Sequence, residues 1–273
     1  VEEHTYLFLG AGEAGVGIAD LIAYAISKNK ACTIEEARKQ IYLLDSKGLI
    51  CKSRLDGSGK LPHHKLNYTH DVSYIPDLKT AVESLRPSVL IGVSTIKGSF
   101  TEEVLAMMGK INEKPLIFAL SNPTSKAECT PEEAYKATDG RAIYASGSPF
   151  DPVEFNGKRY EPGQGNNAYV FPGIGLGVVV AKATRVLDDD MYVSAKALAD
   201  TVDQSCIDVQ RLYPHLNSIR EVSVKVAAAV ANNCFDRGDV VDASTRPEDM
   251  LAACRAAQYQ PTYDNVPLAR TIS

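Results

Sequence analysis

The sequence has no apolar run approaching the about 20 residues needed to cross a bilayer. Its best stretch, residues 173–180, is broken by glycines and soon ended by Lys182. It also has no excess of positive charge. Thirty-four acidic residues against 29 basic ones leave a net charge of -5. No global field concentrates a polyanion, so neither nucleic acid nor membrane is an expected partner. None of the six cysteines (Cys32, Cys51, Cys129, Cys206, Cys234 and Cys254) forms a CxxC pair. Scattered thiols fit a reduced, intracellular setting better than a disulfide framework. The five histidines include adjacent His63 and His64 but no HxxxH pair, so no metal cage is evident. There is little room for a leader peptide either, because a strand begins within a few residues of Val1. The chain reads as a piece of something longer.

What is present suits a large α/β unit with an appended segment, in 273 residues without internal repeat or low-complexity tract. Short apolar runs at residues 6–9, 41–45, 88–93, 116–120 and 142–146 read as buried strands. Helical spacing occupies residues 13–27, 77–85, 101–111 and 131–138, with a short helix opened by the capping-box pair Thr33 and Glu36. This alternation predicts a Rossmann-like, doubly wound parallel sheet covered on both faces. Residues 52–70 are polar and basic, carrying Arg54, Lys60, His63, His64 and Lys65, and read as a long surface loop. Asn156-Gly157 marks a hairpin. Beyond it, apolar faces predict helices over residues 171–186, 191–206 and 219–235, with a last helix near 247–257. The expected division is a dinucleotide-binding domain over 1–167, a helical segment over 168–238 and a tail over 239–273.

Five places carry chemistry. Gly10-Ala11-Gly12-Glu13-Ala14-Gly15 is a GxGxxG lying directly after a strand and opening a helix. In that context the first glycine allows the turn, the second lets a diphosphate approach the backbone and the third lets helix and sheet pack. Asp45 closes the second strand, where an acid normally receives the ribose hydroxyls of NAD. Ser46, Lys47 and Lys65 pull the other way, because cations there would neutralise a 2′-phosphate; the mixture favours NADP over NAD. Ser94 and Thr95 follow the third long strand, and Ser121-Asn122-Pro123-Thr124 the fourth, at the ends where open α/β sheets bind ligands. Gly163-Gln164-Gly165-Asn166-Asn167 is a second polar loop with two amides beside glycines. Asn-Pro and Gly-Asn segments are also ordinary turns, and spacing alone leaves both readings open.

These residues resemble the nucleotide-binding, C-terminal part of malic enzyme. The resemblance rests on four blocks in order: 8–14, Phe118 to Thr124, Ala145 to Phe150 and Pro162 to Tyr169. It continues through Arg211-Leu212-Tyr213-Pro214 to near Tyr263. It implies oxidative decarboxylation of L-malate to pyruvate and CO2 with reduction of NADP, or NAD, and a divalent Mg or Mn ion. It also implies that Gly10, Ala11, Gly12, Glu13 and Ala14 hold the diphosphate, and that Asn122, Asn166 and Asn167 lie at malate and the nicotinamide. Ser46, Lys47 and Lys65 resemble NADP-using members. The family's tyrosine, lysine base and acidic metal ligands lie in a preceding part, so no residue here is named as catalytic or as a metal ligand. Homo-oligomers, dimers or tetramers, are the family's habit. Residues 168–238 are expected to present an apolar face to the absent part. Two other readings remain: a free-standing NADP(H)-sensing module, and a small-acid dehydrogenase relying on Lys97.

Overall fold

The computed structural model describes residues 1–55 and 61–260. Seven strands form one sheet: β1 (Tyr6–Leu9), β2 (Ile41–Asp45), β3 (Gly48–Leu49), β4 (Val89–Gly92), β5 (Leu116–Ala119), β6 (Ile143–Ser146) and, after a hairpin, β9 (Gly163–Gln164). The hairpin pairs β7 (Val153–Phe155) with β8 (Lys158–Tyr160) across Asn156 and Gly157, both at positive φ as a tight hairpin turn requires. The order across the large sheet is β3-β2-β1-β4-β5-β6-β9, all parallel except β3. The chain leaves β1 toward β2 on one side and later returns to β4 on the other. Beside β1 the strand order therefore reverses, which opens a crevice at the carboxyl ends.

Helices α1 (Glu13–Lys30), α2 (Ile34–Arg38), α3 (Leu78–Leu85), α4 (Glu102–Ile111) and α5 (Pro131–Ala137) cover the sheet. Their starts are set locally: Thr33 and Thr130 make complete capping boxes with Glu36 and Glu133, and Asp77 and Thr101 cap α3 and α4. Two apolar cores lie on opposite faces of the sheet, one around Leu7, Leu90, Ile117 and Tyr144, the other around Phe8, Leu43, Ile91 and Ala19. The alternation of Leu7 and Phe8 to opposite faces is the period-2 pattern of a strand buried on both sides.

A third core joins α6 (Phe171–Ala181), α7 (Asp188–Ala199), α9 (Ile219–Arg237) and α10 (Met250–Ala257). Gly177 of α6 lies so close to α9 that an added Cβ would sit 2.6 Å from the Ala227 carbonyl oxygen. Buried Asp190 ties α7 to α9 through two contacts with the Arg237 guanidinium, at 2.9 and 3.0 Å.

Several boundaries differ from the sequence reading, each for a local reason. α1 continues past residue 27 to Lys30, and Ala31 ends it in the left-handed region. α6 stops at Ala181 because Lys182 turns left-handed and Ala183 bridges to Val240. The helix expected over 191–206 begins at Asp188 and ends at Ala199, and Asp203 caps a separate α8 (Gln204–Asp208). The polar loop at 163–167 begins with a strand, β9, and the loop over 52–70 contains two 3-10 turns, Lys52–Arg54 and His63–Tyr68. Lys60 and residues 261–273 of the tail lie outside the described residues.

Candidate functional site: a crevice at the strand-order reversal

The turn after β1 forms the floor. Gly10 has φ +113°, donates its N–H to the Leu44 carbonyl at 2.8 Å and passes so near β4 that an added Cβ would lie 2.6 Å from the Val93 oxygen. At Gly15 an added Cβ would meet the Gly10 oxygen at 2.5 Å, so the helix leans directly on the turn. Gly12 differs, since nothing lies within 4 Å of its missing side chain. It is the N-cap of α1 and offers no side chain to the first-turn amides. Open space beside uncapped amides at a helix N-terminus is the environment a phosphate requires. Ala14 lines the adjoining cavity, whereas Ala11 is buried beneath α1 and Glu13 points to solvent, 3.3 Å from His64 Nδ1.

At the end of β2, Asp45 is enclosed by cations. Arg54 reaches its two carboxylate oxygens at 2.9 and 3.0 Å, Lys65 Nζ lies 3.0 Å from Oδ2, and the Lys47 amide donates to Oδ1 at 2.9 Å. Burial works against ionisation of this carboxyl, but Arg54, the Lys47 amide and Lys65 outweigh it and hold it below the usual carboxylate range. Two cations against one carboxylate leave this trio with a positive balance. The side chains of Ser46 and Lys47 are exposed beside it. The sequence reading placed Arg54 in a surface loop. Its position nine residues after Asp45, in a basic stretch, was the available signal.

Beyond the glycine turn, the ends of β5, β6 and β9 enclose a cavity of about 760 Å³. Asn122, Asn166 and Asn167 all line it, with Ile91, Val93 and Phe118 as apolar wall. The Asn122 side-chain oxygen accepts from Ser148 Oγ at 2.6 Å, and that of Asn166 accepts from the Ala168 amide at 2.9 Å. Ser94 and Thr95 follow β4; an added Cβ on Gly10 would come 3.1 Å from the Ser94 nitrogen, but neither residue lines the cavity, which their neighbour Val93 does. Tyr213, from the Arg211-to-Pro214 block, also lines the cavity and stacks on Tyr169 with ring centroids 5.5 Å apart. Lys97 is exposed and absent from the lining. Among the described residues, no group of three or more His, Cys, Asp or Glu converges as a metal site would.

A parallel sheet with its glycine turn at the order reversal, a free helix N-terminus and a ringed acid after β2 defines a dinucleotide-binding α/β module. Its family is more specific. The model of the malic enzyme NAD-binding domain matches residues 1–235, and the chain belongs to the malic enzyme family. It is 49% identical over 261 residues to an NADP-dependent malic enzyme of Vitis vinifera, covering 96% of this chain and 44% of that protein. A chloroplastic NADP-dependent malic enzyme of Solanum lycopersicum is likewise 49% identical, over 96% of this chain and 45% of its own length. The chain thus spans under half of these relatives. Among solved structures, the Entamoeba histolytica malic enzyme superposes with a TM-score of 0.70 at 23% identity, over 94% of this chain and 47% of that one. The Pyrococcus horikoshii enzyme gives 0.66 at 23% identity, over 94% and 53%. These two likenesses establish the fold.

Proposed function

We propose that this chain is the cofactor-binding portion of an NADP-preferring malic enzyme, which oxidatively decarboxylates L-malate to pyruvate and CO2. The observation that carries the cofactor preference is the positive trio of Asp45, Arg54 and Lys65 beside the glycine turn. With both its oxygens engaged by cations, Asp45 is a poor acceptor for ribose hydroxyls, while Lys65, Lys47 and Ser46 can meet a 2′-phosphate. The diphosphate lies over Gly12 and the first turn of α1, with Gly10, Ala11, Glu13 and Ala14 contributing through the main chain. Ser94 and Thr95 border the nicotinamide end.

NADP bound there would supply the acceptor for the hydride on C2 of malate. Asn122, Asn166 and Asn167 hold the substrate carboxylate and the carboxamide of the cofactor, each amide offering both donors and an acceptor. Ile91, Val93 and Phe118 give that end of the crevice an apolar wall. The resemblance to the family assigns the Mg or Mn ligands and the acid-base residues to a preceding part of the protein. Residues 168–238 face that part. Support comes from apolar side chains left exposed on this segment, Phe171 at 62%, Val179 at 71% and Ile207 at 56%. Residues 1–167 form the dinucleotide-binding domain, and α10 shares the third core with α6 and α9. The whole enzyme is a dimer or tetramer, in the cytoplasm or an organelle; its relative from Solanum lycopersicum is described as chloroplastic. Identity at this level to malic enzymes weighs against a free-standing sensor.

Fluorescence titration of this chain with NADPH and NADH tests the reading. The expected result is saturable binding of NADPH, tighter than NADH by about tenfold or more, as one charge-assisted phosphate contact implies. No NADPH should form from malate and NADP with this chain alone. Equal affinities would remove the case for the 2′-phosphate site. Malate-dependent NADPH production would place the catalytic groups inside these residues.

A further inference from the structure

The loops after β4 and β5 are joined by a side chain that belongs to neither. Glu128, between the Asn122-Pro123 turn and α5, is 0% exposed. Its Oε1 accepts from the Ser94 amide at 3.0 Å, from Ser94 Oγ at 3.1 Å and from the Ser121 hydroxyl. Its Oε2 accepts from the Ser121 amide at 3.3 Å. Each hydroxyl relays the contact onward: Ser121 Oγ accepts from the Thr95 amide at 2.8 Å, and Ser94 Oγ from the Ile96 amide at 3.2 Å. The strand makes room for this carboxyl, because an added Cβ on Gly92 would lie 2.5 Å from Glu128 Cδ.

Every partner named is neutral, so Glu128 is not half of an ion pair that these contacts explain. A buried carboxyl is costly unless its oxygens meet donors; here Oε1 accepts three and Oε2 one. The network ends on Thr95, which has φ +59°, a left-handed conformation unfavourable for a β-branched residue. Such backbone persists only where its surroundings impose it, and the Ser121 hydroxyl is what holds the Thr95 amide.

We propose that Glu128 is a positioning residue for the dinucleotide: it fixes residues 94–96 against Ser121 and so sets their chain neighbours Val93 and Asn122, which line the crevice, without touching the cofactor. This rests on the reading of the crevice as an NADP(H) site. Glu128→Gln tests it, because the amide keeps the size but turns an NH2 group toward N–H and O–H donors. Hydrogen exchange is read for peptides covering 93–98 and 120–124 and for α1 and α9, together with NADPH titration of the same chain. The expected variant exchanges faster in the two loops by about tenfold, keeps wild-type protection in both helices and binds NADPH about tenfold more weakly. Unchanged exchange in the loops would overturn the proposal, as would uniform acceleration throughout, which marks a merely structural role. Unchanged NADPH affinity with loosened loops would also overturn it. If Glu128→Gln does not fold, Ser121→Ala decides. It keeps the carboxyl and removes the relay to Thr95, so faster exchange confined to 93–98 supports the proposal and none overturns it. A wild-type chain that binds no NADPH, with the loops loosened in the variant, would retain Glu128 as the loop-setting residue and overturn the cofactor reading alone.

Discussion

Gly12→Asp is expected to reduce NADPH affinity by about a hundredfold or more while leaving the thermal unfolding of the chain nearly unchanged. The two effects separate because of where Gly12 lies. Nothing stands within 4 Å of its missing side chain, and its φ of -78° is open to any residue, so the fold accepts a carboxyl there. As the N-cap of α1, aspartate would itself accept a first-turn amide, a change worth no more than about 1 kcal/mol in the favourable direction. The same carboxyl would occupy the phosphate space and place a negative charge against the diphosphate. Loss of a charge-assisted phosphate site together with that repulsion sums to several kcal/mol, hence the hundredfold estimate of about 2.8 kcal/mol as a lower bound. Titration with NADPH alongside a melting curve checks both halves. A variant that binds normally would mean that the diphosphate does not lie over this turn.

The second large effect concerns selectivity. Lys65→Ala is expected to weaken NADPH binding by about ten- to a hundredfold, the range of a lost charge-assisted contact, while NADH binding changes by less than about threefold. Lys65 pairs with the Asp45 carboxylate at 3.0 Å, and in the proposed site it would also meet the 2′-phosphate. Removing it leaves Asp45 still paired with Arg54 at 2.9 Å, so the turn after β2 should hold its shape. The ratio of the two affinities is the telling quantity. A parallel loss for both nucleotides would show that Lys65 supports the loop rather than reading the phosphate.

The features legible in the sequence are those whose cause is local. Gly10 to Gly15 is recognisable because its spacing is local: Gly10 turns at φ +113°, Gly12 leaves open space at the start of α1 and Gly15 lets the helix lean on the turn. The capping box at Thr33 is visible for the same reason, as are the long buried strands and the Asn156-Gly157 hairpin. The two-residue strands β3 and β9 escape because they are too short to show a period; only pairing with β2 and β6 makes them strands. Arg54 escaped as a site residue because its partner Asp45 is met through folding of the loop. Glu128 is indistinguishable along the chain from its neighbours Glu132 and Glu133, which are exposed on α5. What separates it is burial against Gly92 and the donors of two loops, and neither property is carried by one residue's surroundings in sequence. The three asparagines fall between these cases: their residue type suggested a ligand, and the fold brings all of them to one cavity.

A structure of this chain crystallised with NADP tests the central reading most directly. The expected density has the diphosphate above Gly12 at the start of α1, the 2′-phosphate within hydrogen-bond reach of Ser46, Lys47 or Lys65, and the nicotinamide in the cavity bounded by Asn122 and Asn166. Density for the dinucleotide at any other surface, or a 2′-phosphate turned away from Lys65 into solvent, would contradict it.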